Sequence, residues 1–245
     1  MCDPARDLPE GWLYPDLGVR VRSVITSSVG PNDVADFNLA FHAGKTANTA
    51  RHRAGLKHSL GAHRVQWLKQ AHGARCVAIE RAELPGEKAV ADAMWTREQG
   101  IGLAILTADC LPVLLASGDG SCVAVAHAGW QGLARGVLAE TIATLPVAAR
   151  DLVAFVGPAI SGAVYEVGED VWSQFPSRFA GPHSDPAKRY LDLIGIARAQ
   201  LGSLGVMRIE GGDLCTYRDD AYYSHRRWLQ TGGVCGRFAS VIMRL

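Results

Sequence analysis

The chain has 245 residues, 48% of them hydrophobic, with 25 Lys and Arg against 24 Asp and Glu and a formal net charge of +1 at pH 7. That balance gives no electrostatic basis for a nucleic acid or an anionic membrane surface as partner, and no run approaches the roughly 18 consecutive apolar residues of a membrane span. Met1 to Glu10 mix Asp, Arg and Pro without the apolar stretch of a signal peptide, so the expectation is a cytoplasmic protein acting on small molecules, built as one domain over residues 1–245.

In chain order, a first strand is predicted around Val21 to Thr26, followed by a loop through Asn38 and an amphipathic helix from about Thr46 to Leu60. Strands follow near Arg64 to Lys69 and Arg75 to Glu80. Gly102 to Thr107, Val113 to Ala116 and Ser121 to Ala126 are short and nearly all apolar, the pattern of strands covered on both faces. After Gly129 a helical pattern runs to about Leu145, then a strand from Leu152 to Val156 ends in Gly157-Pro158. Helices near Gly168 to Phe175 and Leu191 to Leu204 precede a closing region, Met207 to Leu245, whose last segment alternates like a strand. Strands and helices mix without strict βαβ alternation, which points to an α+β fold.

The 6 cysteines are irregularly spaced with no C-x-x-C, so free thiols are expected and not a disulfide framework. Cys76 and Cys122 sit in apolar alternations and read as core residues. Cys110 differs, because it stands where Asp109 and Leu111-Pro112 interrupt an apolar run.

Three words carry the chemistry: Gln70-Ala71-His72-Gly73, Thr107-Ala108-Asp109-Cys110-Leu111-Pro112 and His127-Ala128-Gly129-Trp130-Gln131-Gly132. Each sets one soft or borderline ligand beside turn-forming residues at the edge of an apolar strand. Taken singly, His72 reads as a hydrogen-bonded strand-end histidine and Cys110 as a buried thiol. Together, two imidazoles and a thiolate suit Zn²⁺ with a fourth position open, and the same donors also take Cu²⁺.

These words, with Asn38-Leu39, Ala91-Asp92-Ala93, Gly157-Pro158-Ala159-Ile160, Tyr165-Glu166-Val167-Gly168, Tyr190-Leu191-Asp192-Leu193, Cys215-Thr216 and Ser224-His225-Arg226-Arg227, resemble the laccase-domain family from about residue 20 to the C-terminus. Its members carry the older name multicopper polyphenol oxidase and are now described as purine nucleoside phosphorylases with adenosine deaminase activity. The resemblance implies a four-layer α/β/β/α sandwich with mixed β-sheets and a metal held by His72, Cys110 and His127. It also implies nucleoside and phosphate as substrates. Two departures stand out: Gln131 replaces a family-typical Arg, and the closing Thr-Gly-Arg motif is interrupted between Thr231 and Arg237.

Chemistry sets the remaining roles. With 8 His and no His-x-His pair, the chain does not suit a multicopper oxidase, though copper at a single site leaves weak polyphenol oxidation open. The His-x-Glu and Pro-Cys-x-x-Cys signature of ordinary zinc deaminases is absent, so Asp109 is the nearest sequence candidate for moving protons, with a turn cap as its plain alternative. For phosphate, the turn ending at Gln131 opens a helix, and Arg226 with Arg227, or Arg51 with Arg53, add charge, although the latter pair also reads as a solvated helix face. Asn38 is the candidate polar anchor for ribose or base, against an ordinary turn role. A second class keeps Cys110 as the nucleophile of a cysteine hydrolase or amidase acting on peptidoglycan precursors, with His127 or His72 as its base. A third is a non-catalytic metal-binding or interaction protein.

Overall fold

The computed structural model describes residues 9–80, 89–182, 185 and 187–245; Met1 to Leu8, most of the stretch read for a signal peptide, lie outside the described residues. In chain order the elements are β1 (Val21–Ile25), α1 (Thr49–Leu60), β2 (Arg64–Gln66), β3 (Cys76–Ala78), β4 (Ala93–Thr96), β5 (Ile101–Thr107), β6 (Leu111–Ser117), β7 (Val123–Ala128), α2 (Trp130–Ala134) and α3 (Val137–Thr144). Then come β8 (Leu152–Val156), β9 (Glu166–Val167), α4 (Glu169–Trp172), β10 (Arg189–Tyr190), α5 (Leu193–Ser203), β11 (Arg208–Gly211), α6 (His225–Thr231) and β12 (Phe238–Arg244).

Two mixed sheets form the centre. One has the order β1-β12-β5-β2 with only β2 and β5 parallel, and the other β11-β8-β6-β7-β4-β3 with parallel pairs at both edges. The apolar runs are explained by what covers each face. On β6 and β7, Leu111, Val113, Leu115, Ala124 and Ala126 pack with Leu133 and Leu138 of α2 and α3 and Ile196 of α5. Their alternate neighbours Leu114, Ala116, Val123 and Val125 meet Leu103, Ile105, Phe238 and Ile242 of the other sheet. Ala104, Leu106, Ala239 and Val241 then face Leu56 and Leu60 of α1. The result is the four-layer α/β/β/α sandwich that the resemblance implies, and each large apolar side chain buried in it contributes about 1.5–3 kcal/mol.

Several boundaries differ from the sequence expectation for local reasons. The predicted helix to Leu145 breaks at Gly136, whose φ of +82° separates α2 from α3. β4 and α6 escaped periodicity because they are short; α6 is marked only by its cap, Ser224, whose hydroxyl accepts the N–H of Arg227 at 3.1 Å. The strand predicted to end at Ala126 continues to Ala128, so His127 lies inside β7 and on the same face as Val123 and Val125. All five described cysteines are free. Among the described residues no helix is long and apolar enough to cross a membrane.

Candidate metal centre

His72 lies in the passage from β2 of one sheet to β3 of the other, Cys110 in the passage from β5 to β6, and His127 on β7. Their ligand atoms all lie within 4.8 Å of one another, with Cys110 Sγ 3.8 Å from His72 Nε2 and the two imidazole rings 4.7 Å apart, edge to face. Metal–ligand bonds of about 2.0–2.3 Å place the corners of a tetrahedron roughly 3.3–3.8 Å apart. The Cys110–His72 edge matches that spacing, and among the described residues this is the one group of three His, Cys or carboxylate side chains that could hold a metal ion.

The backbone here is unusual where the ligands need it. His72 has φ of +56° and Asp109, beside Cys110, φ of +85°, left-handed conformations that cost a non-glycine residue about 1–3 kcal/mol and persist only when surroundings fix them. For His72 that support is Asp92. Its carboxylate accepts the backbone N–H of Ala71, His72 and Gly73 at 3.2, 2.9 and 2.7 Å, and Oδ1 accepts Nδ1–H of His127 at 2.9 Å. One carboxylate therefore fixes the turn carrying one histidine and the tautomer of the other, leaving Nε2 of His127 for a metal. No role was assigned to Asp92 from sequence; the available signal was an acid placed directly ahead of the apolar Ala93-Met94-Trp95 run, where burial demands a partner.

Electrostatics follow. Burial pushes the Asp92 carboxyl up, but His127 and the Gly73 and Ala71 amides outweigh it and hold the group below its ordinary value. Burial likewise raises the Cys110 thiol, while His127 and His72 overcome this and draw it down to about 6. Burial lowers His127, and Cys110 and Asp92 bring it up to about 9. The pair is a thiolate beside an imidazolium: Cys110 is already deprotonated, and His127 would release its Nε2 proton to hold a metal. Space is tight on one side: a Cβ on Gly129 would lie 2.9 Å from Cys110 Sγ and 3.3 Å from His72 Cδ2.

His72, Cys110 and His127 stand in the wall of a cavity of about 520 Å³. Its cations are Arg53, Arg237 and Lys69, accompanied by His42 and His225. Arg53 is held in place, stacked 4.0 Å from the Trp67 ring and 4.5 Å from Phe41 while donating Nε–H to Leu39 O at 2.8 Å. Burial, then Arg237 and Arg53, lowers the pKa of His42, and burial and Arg237 lower that of His225.

The remaining sequence candidates fall outside this cavity. Asn38 is fully buried: its Nδ2 donates to Ala40, Ala43 and Lys45 carbonyls and its Oδ1 accepts the N–H of Ala40 and Arg237, so it braces a loop and has no amide donor left for ribose or base. Arg51 stands exposed on α1, the solvated reading, whereas Arg53 two residues on turns inward. Arg227 spends its guanidinium on the carbonyls of Thr216, Tyr217, Asp219 and Tyr222. Arg226 lies 5.4 Å over the Tyr165 ring and donates to Glu166 O at 2.8 Å. Gln131 is half-buried on α2, away from the cavity lining. Asp109 is buried beside Thr216 and also outside the lining.

Residues 22–245 match the family model described as multi-copper polyphenol oxidoreductase laccase. The chain belongs to this family. A relative from Pseudomonas aeruginosa named purine nucleoside phosphorylase is 37% identical over 94% of this chain and 97% of its own length. The Escherichia coli purine nucleoside phosphorylase YfiH is 37% identical over 72% of each chain. Among solved structures, a Neisseria meningitidis protein superposes with a TM-score of 0.85 at 35% identity, covering 96% of this chain and 99% of that one. YlmD from Geobacillus stearothermophilus gives 0.82 at 26% identity over 92% of each. In this member of the laccase family the resemblance read from the three ligand words thus extends over nearly the whole chain.

Proposed function

We propose that the protein is a zinc-dependent purine nucleoside phosphorylase that cleaves adenosine, inosine and methylthioadenosine with phosphate and also deaminates adenosine, working as a single-domain cytoplasmic enzyme. The observation that carries this reading is the His72, Cys110 and His127 triangle in the wall of a cavity that also holds Arg53 and Arg237. The names of the relatives support the phosphorylase half of it. Deamination and the choice of zinc over copper rest on the family resemblance and the donor set.

His72, Cys110 and His127 would hold the ion, which would supply Lewis-acid chemistry beside the substrate. The chain's own residues do the rest. Asp92 keeps the His127 ring oriented, the apolar walls Phe41, Leu68 and Leu106 accept a base or sugar face, and Arg53 and Arg237 attract phosphate and neutralise its charge beside a developing sugar cation. Arg53 is prepared for this, because its stacked guanidinium loses little freedom on binding an anion.

Metal-analysed protein incubated with adenosine, with and without phosphate, decides the matter by its products. Adenine with ribose 1-phosphate establishes phosphorolysis, inosine establishes deamination, and neither product overturns the proposal. One observation favours a second reading: Cys110, His127 and Asp92 stand in the series of a thiol hydrolase, nucleophile, base and orienting carboxylate. A cysteine amidase works without metal and is not stopped by chelation, which separates the two.

A further inference from the structure

Cys215-Thr216 and Ser224-His225-Arg226-Arg227 stand out in the sequence, yet only His225 among them reaches the cavity. Both stretches converge on Asp109. Its Oδ1 accepts the Thr216 hydroxyl at 2.6 Å, its Oδ2 accepts the backbone N–H of Arg226 at 2.7 Å, and its carbonyl accepts the N–H of Ile160 at 3.0 Å. These partners are themselves fixed. Thr216 is fully buried, its N–H donates to Ala159 O at 3.0 Å, and its carbonyl receives the Arg227 guanidinium at 2.8 Å. Ser224 caps the helix that Arg226 belongs to.

Asp109 is 8% exposed and holds a φ of +85°, a conformation that Asp enters more readily than most residues but that still costs energy its surroundings must offset. Cys110 is the next residue. A change of backbone angle at Asp109 swings Cys110 Sγ away from His72 Nε2, now 3.8 Å distant. A carboxylate with one oxygen bound by a hydroxyl and the other by an amide, outside the cavity lining, is also badly placed to carry protons to a substrate.

We propose that Asp109 is a positioning residue, and that the latch from Thr216 through Asp109 to the Arg226 amide holds the β5–β6 turn in the left-handed form that aims Cys110 at the metal. The proposal rests on the reading of His72, Cys110 and His127 as ligands. It gives Thr216, which lies outside the cavity lining, a share in metal affinity.

The test is a Co²⁺ titration of the full chain, followed by the thiolate-to-cobalt charge-transfer absorption and by competition with a chelator, on wild type, Asp109→Asn, Thr216→Val and Thr216→Ser. Thr216→Val keeps the side-chain shape and removes the hydroxyl, so its circular dichroism should stay near wild type while its Tm falls by the loss of one buried hydrogen bond to a carboxylate. Asp109→Asn and Thr216→Val should bind Co²⁺ at least about tenfold more weakly, in the range seen when supporting groups of a metal site are lost, with a diminished thiolate band. Thr216→Ser should restore both, and nucleoside turnover of Thr216→Val should recover at saturating metal with KM unchanged. Wild-type affinity and band in Thr216→Val overturn the latch, as does an Asp109→Asn protein with a normal band and affinity but no turnover, the signature of a proton carrier. A wild-type protein that binds Co²⁺ without a thiolate band removes the ligand reading itself, and the latch with it.

Discussion

His127 Nδ1 and Asp92 Oδ1 lie 2.9 Å apart with both side chains at most 3% exposed, and the same carboxylate gathers the three amides of the His72 turn. Two of the three candidate ligands therefore depend on one acid. Asp92→Asn places an NH₂ group against donors and should lower metal affinity about 10–100-fold, with Asp92→Ala worse. Chelator competition measures this, and unchanged affinity in both variants would show that the turn holds itself.

Removing any ligand leaves too few donors for an open site. His72→Ala, Cys110→Ala and His127→Ala should each reduce bound metal from about one ion per chain to a trace and abolish both phosphorolysis and deamination. Metal analysis and product assays on the same preparations check it. A Cys110→Ala protein with stoichiometric metal and full turnover would end the shared-site model.

The phosphate site is expected at Arg53 and Arg237. Loss of one charge-assisted contact worth about 1.5–3 kcal/mol should raise the phosphate KM of Arg53→Ala or Arg237→Ala at least about tenfold, while phosphate-independent deamination changes little. Gln131→Arg should leave the phosphate KM where it is, because position 131 lies outside the cavity lining. A phosphate titration at fixed adenosine distinguishes these, and a response to Gln131→Arg alone would move the anion to the start of α2.

Cys110 in metal-free protein should be alkylated by iodoacetamide at pH 7. Its pKa is drawn down to about 6, so the thiolate fraction, and the rate, rise as the pH passes upward through that value. Burial, outweighing Arg97 and Arg244, pushes Cys122 up to about 11, which makes it an unreactive internal control. Peptide mapping should show Cys110 modified first and protected by added Zn²⁺; equal labelling of the two thiols would contradict the thiolate–imidazolium pair.

Gly129→Ala tests the tight side of the site. The new Cβ would stand 2.9 Å from Cys110 Sγ, so metal affinity should fall several-fold. The φ of Gly129, −65°, suits alanine, so the Tm of the metal-free protein should shift little. A metal affinity equal to wild type would mean that Cys110 and His72 move aside at no cost.

The layers were legible because apolar runs of five to seven residues leave strong local marks, and the three candidate ligands stood out because each has small or turn-forming residues beside it. What periodicity cannot reveal is pairing across the chain. Asp92 meets His127 across 35 residues, and Asp109 meets Thr216 and Arg226 across 107 and 117. The arginines show the limit most plainly. Arg51 and Arg53 read alike in sequence, yet Arg53 reaches back from α1 to Trp67 and the cavity while Arg51 meets solvent. Arg227 looked like a ligand for anions, and its charge is consumed by backbone carbonyls of a single loop.

His72 and Cys110 both sit where the chain leaves the four-stranded sheet for the six-stranded one, and His127 belongs to the latter. An ion held by all three would tie both crossovers to a central strand, acting as a removable cross-link between the halves of the sandwich. Resistance to unfolding would then depend on free metal, growing as RT ln(1 + [M]/Kd), and chelation would loosen the contact between the sheets as well as silence the enzyme.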